Sequence, residues 1–164
     1  MYGMSAFRLA KELGISRTEA KNFIDSYFRT YRGVREFLDS VILEGEKNGY
    51  VSTIMGRKRI ITGINSKNKT EKAGAERTAI NTPIQGSAAD IVKIAMLNLS
   101  GAIKKQNLKT KMILQVHDEI IFEAPEEEAE MVIPLIREEM ENAVKLRIPL
   151  KVSIEKGKRW GEFH

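Results

Sequence analysis

The feature that most constrains the fold of this chain is a long tract, from Thr70 to Gln106, in which apolar residues recur at helical spacing. Pro83 lies inside this tract. Proline has no amide hydrogen and its ring crowds the preceding turn, so a helix must kink or break there. We therefore expect a long, bent helix. Its apolar surface needs a substantial core, which a chain of 164 residues with 42% hydrophobic residues can supply.

Three shorter helices are predicted before this tract. The first runs from Ser5 to Leu13 and stops at Gly14, a residue favoured just after a helix end. The second begins at a capping box formed by Ser16 and Glu19. A third follows after Arg32-Gly33 and ends at Asn48-Gly49.

Strand signals are short and come mostly late in the chain. Two pairs of β-rich runs, each pair joined by a tight turn, predict two hairpins, and an alternating run predicts one more half-buried strand. A helix that begins at Pro125 with three glutamates separates the second hairpin from that strand, and Pro134 is expected to bend it. The fold class is therefore α+β, with antiparallel strands packed against long helices. The runs are Tyr50 to Ile54, Arg57 to Ile61, Met112 to Val116, Ile120 to Phe122 and Leu150 to Ile154.

Charge is distributed unevenly. The segment 47–77 holds eight Lys and Arg against two acids, and the segment 118–141 holds ten acids against Arg137 alone. A basic region together with an acidic cluster is typical of proteins that handle polyanions through bound cations, although two solvated helix faces would give the same pattern. The chain has no cysteine, which excludes a disulfide framework and thiolate metal sites. With no signal peptide and no long apolar run, we expect a cytoplasmic protein without a membrane partner.

The sharpest candidate for chemistry is His117-Asp118-Glu119, between two apolar runs. Adjacent carboxylates on a tight tip suit Mg²⁺, which takes hard oxygen ligands and often only one or two carboxylates from the protein. An exposed polar turn is the alternative interpretation.

A second candidate is the polar series Arg77, Asn81 and Gln85. On a continuous helix these side chains share nearly one face, drifting by roughly 40° per step. Such a stripe suits the minor groove, where every base pair presents acceptors, but a solvated face is also possible. The basic arm with Arg57 and Arg59 suits phosphate contacts, or is a solvated strand.

Several segments, taken in order, resemble the C-terminal part of a family A DNA polymerase of the bacterial DNA polymerase I type. Tyr2-Gly3-Met4-Ser5 resembles the end of the fingers motif, and the Gly56 to Arg59 run a basic palm hairpin. The segment from Glu76 to Asp90 resembles the long palm helix, and Gln115 to Glu119 the palm carboxylate motif. The resemblance covers nearly the whole chain and divides it into a fingers-derived segment, 1–48, and a palm-derived segment, 49–164.

The resemblance implies template-directed addition of deoxynucleotides to a primer 3′ end, in DNA replication and repair. Asp118 would bind the catalytic Mg²⁺ ions, which Mn²⁺ can replace, and Glu119 would assist. Tyr2 would lie at the nascent base pair and His117 near the primer terminus, and the stripe would line the minor groove of the primer-template. The partners implied are primer-template DNA and deoxynucleoside triphosphates.

The resemblance also implies that important groups lie before Tyr2. These are the second metal-binding aspartate, and a lysine and an arginine that hold the triphosphate. The chain is therefore expected to be a truncation or remnant that needs the missing N-terminal part of the polymerase, does not polymerise alone, and exposes a sheet edge that invites self-association.

Two other functions stay open at this point. Leu9 to Ser16, followed by Ala20 and Phe23, is similar to a helix-turn-helix, which would make the chain a non-enzymatic DNA-binding module. The aromatic residues of its second helix favour a packing role instead. A metal-dependent phosphodiesterase built on Asp118 and Glu119 is the third hypothesis.

Overall fold

The structure is a computed structural model that describes residues 4–162, and it confirms the α+β class. The chain divides into two compact units, one ending at Ser87 and one starting at Ala88. The proposed fingers and palm segments meet at a different place, residue 48, and that division stays a prediction. In the described part of the chain, no helix is both long enough and apolar enough to cross a membrane.

Three helices open the first unit, as predicted: α1 (Ala6–Leu13), α2 (Arg17–Thr30) and α3 (Arg32–Asn48). Local chemistry fixes their ends. The Ser16 hydroxyl accepts a hydrogen bond from the Glu19 backbone N–H at 3.1 Å, and the Glu19 carboxylate accepts one from Ser16 N–H at 2.9 Å. Gly14, after α1, has φ of 66°, a left-handed conformation that glycine adopts without a steric penalty.

The first hairpin and the next helix complete the core of this unit. Strands β1 (Tyr50–Ser52) and β2 (Lys58–Ile60) are antiparallel, with Val51 opposite Arg59, and are shorter than the predicted runs. Helix α4 (Lys69–Asn81) packs with α3 around one apolar cluster. Its members are Val41, Val51, Ile61, Ile64, Ala75 and Ala79, all buried.

The predicted long helical tract is present as two α-helices joined by a π-helical turn. After α4, residues Thr82–Gly86 form the π turn, and α5 (Ser87–Lys105) follows without a loop. Pro83 lies near the start of this turn, where sequence predicted the break. A π turn inserts residues into the helix without unwinding it, so the proline is accommodated by a wider turn.

The second unit holds the second hairpin and the acidic helix. Strands β3 (Lys111–Val116) and β4 (Glu119–Glu123) are antiparallel, with a bulge between Met112 and Leu114. Helix α6 (Glu126–Glu141) contains Pro134, as predicted. The core of this unit consists of Leu99, Val132 and Ile136, with Ile120 and Phe122 of β4 packed against them.

The strand predicted from Leu150 to Ile154 is wrong: the described residues after α6 form no strand. The alternation of half-buried and exposed side chains is present, but the backbone bonds to side chains rather than to a neighbouring strand. Val152 N–H donates to Glu141 at 3.1 Å, and its carbonyl accepts from Arg137 at 2.7 Å. Because α6 satisfies these groups, the segment lies along a helix.

Candidate nucleic-acid interface

The predicted polar stripe lies on one helical segment of the first unit. Arg77 is exposed on α4, Asn81 is its last residue and half-buried, and Gln85 is exposed in the π turn. Asn81 Oδ1 is buried and has no hydrogen-bond partner in the part of the chain that the structure describes. A buried acceptor without a partner is costly, and such groups are frequent at functional sites. The three residues lie on consecutive helical elements, and their joint role as a stripe stays a prediction.

The π turn changes how the stripe is aligned. On a continuous α-helix, Gln85 would be rotated by about 80° from Arg77, since each four-residue step adds roughly 40°. A π turn has more residues per turn, so the step from Asn81 to Gln85 turns back in the opposite sense. By ideal geometry, a π turn therefore aligns the three positions more closely than the regular helix that sequence reasoning assumed.

The basic hairpin lies against this turn. Arg57 Nη2 donates to the Gly86 carbonyl oxygen at 3.0 Å. Arg59 is exposed on β2, and Lys58 lies over the ring of Tyr50 with its Nζ 4.4 Å from the centroid. The structure thus brings Arg57 to the stripe, whereas Arg59 keeps its side chain in solvent.

The carboxylate tip is a two-residue turn in the second unit. Val116 pairs with Glu119, so His117 and Asp118 form the loop, and His117 has a positive φ of 51°. Its carbonyl accepts a hydrogen bond from the Gln115 side-chain amide at 2.5 Å. All three predicted residues, His117, Asp118 and Glu119, are exposed.

These carboxylates fit a divalent cation only in part. Within residues 4–162, no three His, Asp or Glu side chains are grouped as a metal site. Two adjacent exposed carboxylates are, however, the number that Mg²⁺ usually takes from a protein when water and phosphate supply the rest. The donor chemistry suits the ion, and the set is incomplete. Tyr2 lies outside the described residues.

Sequence reasoning missed a buried carboxylate in the second unit. Glu128 accepts hydrogen bonds from Lys109 N–H at 2.8 Å, Thr110 N–H at 2.9 Å and the Thr110 hydroxyl at 2.7 Å. The bond from the Lys109 backbone is the largest cause that lowers the pKa of Glu128, followed by the Thr110 hydroxyl. Glu128 therefore anchors the entry to β3. Its place in a run of three glutamates gave no signal of this.

The comparisons with known proteins identify the family to which the chain belongs. The family model described as DNA polymerase family A matches residues 1–162, so the chain belongs to that family. The resemblance seen in the motifs is confirmed, and the helix-turn-helix alternative is not favoured.

The relatives are bacterial enzymes named DNA polymerase I. The chain is 52% identical to that of Treponema pallidum over 164 residues, covering 100% of this chain and 16% of the relative. It is 48% identical to that of Geobacillus stearothermophilus over 160 residues, covering 98% and 18%. The chain thus spans about a sixth of the length of these curated relatives.

A solved structure shares the fold. It is described as the POL domain of Pol1 from M. smegmatis in complex with DNA primer-template and dNTP. The match has a TM-score of 0.89 and 47% identity, and it covers 93% of this chain and 27% of that one.

Proposed function

We propose that this chain supplies part of the DNA-binding surface and of the catalytic metal site of a template-directed DNA polymerase. The observation that carries the proposal is the stripe of Arg77, Asn81 and Gln85 along α4 and the π turn, in a chain of family A. Arginine and amide side chains donate hydrogen bonds to acceptors that every base pair presents in the minor groove. Contact there checks the geometry of a base pair without reading its sequence.

The other predicted residues would contact other parts of the primer-template and the incoming nucleotide. Arg57 and Arg59 lie on the basic hairpin and would meet backbone phosphates of a primer-template. His117 would lie near the primer terminus. Tyr2, assigned from the motif alone, would lie at the nascent base pair with an incoming deoxynucleoside triphosphate.

Asp118 and Glu119 would hold Mg²⁺, or Mn²⁺ in its place. A pair of such ions, when bound, activates the primer 3′ hydroxyl and stabilises the leaving oxygen of an in-line displacement. The task of this chain is to present the two carboxylates on a rigid tip. The pairing of Val116 with Glu119 at the two ends of the turn supports this role.

We also propose that these 164 residues do not polymerise alone, because the motif assignment puts the second metal-binding aspartate and the triphosphate-binding cations before Tyr2. A primer-extension assay with Mg²⁺ and all four triphosphates tests this, with the Asp118→Ala chain as control. Extension by the native chain that is abolished in Asp118→Ala would refute the proposal. Cleavage of DNA by the native chain without nucleotides would instead favour a phosphodiesterase.

Binding of duplex DNA is the direct test of the stripe. We expect fluorescence anisotropy to show binding that tolerates any sequence and weakens as salt is raised, because bound phosphates release counterions. Arg77→Ala should weaken it, whereas Arg29→Ala, an exposed arginine on α2 outside the stripe, is the matched control. A strong preference for one DNA sequence, unaffected by Arg77→Ala, would favour a sequence-reading module.

The same proposal places the chain in DNA replication and repair in the cytoplasm. The sequence has no cysteine, so folding needs no oxidising compartment for disulfide formation.

A further inference from the structure

Side chains from the surrounding chain reinforce the backbone at the π turn. A helix interrupted by proline loses a backbone bond, and unpaired carbonyls inside a protein are costly. Three carbonyls at or beside the turn accept hydrogen bonds from side chains, and two of them, those of Thr78 and Pro83, also accept from the backbone N–H groups of Thr82 and Ser87. Thr82 Oγ1 donates to the Thr78 carbonyl at 2.7 Å, the Ser87 hydroxyl donates to the Pro83 carbonyl, and Arg57 Nη2 donates to the Gly86 carbonyl at 3.0 Å.

The loop that brings Arg57 to Gly86 is closed by its own hydrogen bonds. Thr53 N–H donates to the Arg57 carbonyl at 3.0 Å, and Arg57 N–H donates to the Thr53 hydroxyl at 3.2 Å. Gly56 N–H donates to the Thr53 carbonyl at 2.9 Å, and Gly56 adopts a positive φ of 77°. The start of the Arg57 side chain is therefore fixed by a closed turn.

A second bond joins this loop to the helix beside the first. Ile54 N–H donates to the Ser87 hydroxyl at 3.0 Å. The contact between the two segments is close, because a Cβ at Gly86 would lie 2.7 Å from Thr53 Cγ2. The hairpin loop thus holds the helix at Gly86 and at Ser87, directly after Gln85.

Gln85 is the member of the stripe whose direction depends on this junction. Arg77 belongs to a regular α-helix and is fixed by its own backbone bonds. Gln85 is exposed in the π turn, one residue before the carbonyl that Arg57 binds. A change from the π turn to a regular α-turn would rotate Gln85 away from the line of Arg77 and Asn81.

We propose that Arg57 is a positioning residue: its bond to the Gly86 carbonyl holds the π turn and thereby directs Gln85 at the minor groove. This inference rests on the proposed function of the stripe. A guanidinium has five donor hydrogens, so the bond to Gly86 does not by itself exclude a phosphate contact. The positioning role predicts an effect on groove recognition that a phosphate contact alone does not.

The first experiment tests the junction without DNA. In NMR spectra of the full 164-residue chain, Arg57→Ala and the charge-conserving Arg57→Lys should shift the Gln85 backbone and side-chain amide resonances, because lysine lacks the planar fork that reaches the carbonyl. Arg59→Ala, on the same hairpin, should leave them in place. Unchanged Gln85 resonances in both Arg57 variants would overturn the proposal, whatever the DNA measurements give.

The second experiment uses two primer-templates that differ only in the minor groove. One has ordinary purines, and the other has 3-deazapurines, which lack the N3 acceptor. The native chain should bind the ordinary duplex several-fold more tightly. Gln85→Ala and Arg57→Ala should each bring that ratio close to one, and the double variant should lose no more of the ratio than either single variant.

The outcomes separate the two proposals. If Arg57→Ala weakens binding to both duplexes equally, keeps the ratio and lowers the salt slope by about one, Arg57 is only a phosphate contact and the positioning role is refuted. If the native chain binds both duplexes equally, the proposed function of the stripe fails. The NMR result then still decides whether Arg57 fixes Gln85.

Discussion

At the scale of single residues, the Glu128 side chain stabilises the second unit by accepting hydrogen bonds from the segment before β3. Its carboxylate accepts three hydrogen bonds from Lys109 and Thr110, which lower its pKa below the ordinary value of 4.5. A depressed pKa in the folded state means that the ionised form stabilises the fold at any pH above 4.5. That contribution is lost as the pH falls through 4.5 and then through the lower folded value.

We therefore expect Glu128→Gln to lower the urea midpoint at pH 7 by several tenths of a molar and to have a much smaller effect near pH 3. Glu127→Gln is the matched control. The Glu127 carboxylate is exposed, and its ion pair with the Lys109 ammonium is long, at 3.9 Å. Urea unfolding, followed by circular dichroism at both pH values, measures the midpoints of the native chain and the two variants. Equal losses at pH 7 and pH 3 would mean that the carboxylate charge contributes nothing.

Glycines give a second test at this scale. Gly63 has φ of 83°, and a Cβ there would lie 2.9 Å from Glu71 Cγ. Gly101 lies inside α5, where an added Cβ meets nothing within 4 Å. We expect Gly63→Ala to destabilise the chain by about 1–3 kcal/mol and Gly101→Ala to stabilise it by about 0.5–1 kcal/mol. The midpoint of thermal unfolding should therefore fall in Gly63→Ala and rise in Gly101→Ala. A shift of the same sign in both variants would contradict this account.

At the scale of elements, sequence predicted best where local chemistry decides. The capping box at Ser16, the stop at Gly14 and the break near Pro83 all lie where predicted. It failed where the outcome depends on a distant partner. The run around Val152 alternates like a strand, but Arg137 and Glu141 satisfy its backbone.

The candidate site was likewise predictable from sequence only where local spacing decides. The spacing of Arg77 and Asn81 was enough to place them on one helix. That Gln85 falls in a π turn, and that Arg57 bonds to Gly86, depends on a contact across 29 positions of sequence, for which no local pattern exists.

The junction of hairpin and helix predicts a compensating pair of substitutions. Gly86→Ala should displace the hairpin loop, because the new Cβ would overlap Thr53 Cγ2. Thr53→Ser removes that methyl group and keeps the hydroxyl that accepts from Arg57 N–H. We expect Gly86→Ala to cost about 1–3 kcal/mol, as overpacking does, and the double variant to recover most of it.

Chemical denaturation of the four chains, native, two single variants and the double variant, measures the coupling between the two positions. Additive effects would show that Thr53 and Gly86 do not share this contact. Gly101→Ala, combined with Thr53→Ser, is the control in which additivity is expected.

At the scale of the whole molecule, the second hairpin bears on how copies of the chain associate. Within the described residues β3 and β4 pair only with each other. Their outer edges therefore carry backbone groups that another strand can bind. Two apolar residues at the bulge of β3 add exposed surface, since Ile113 is 54% and Leu114 39% exposed.

We expect the chain to self-associate through β3 as its concentration rises, and Ile113→Lys to reduce this association several-fold, because a lysine on an edge strand opposes pairing with a second copy. Ile60→Lys is the matched control: Ile60 is 80% exposed, but it lies on the short β2 of the other hairpin. Sedimentation velocity over a range of concentrations measures the change. A native chain that stays monomeric throughout, or equal effects of the two lysines, would exclude β3 as the associating edge.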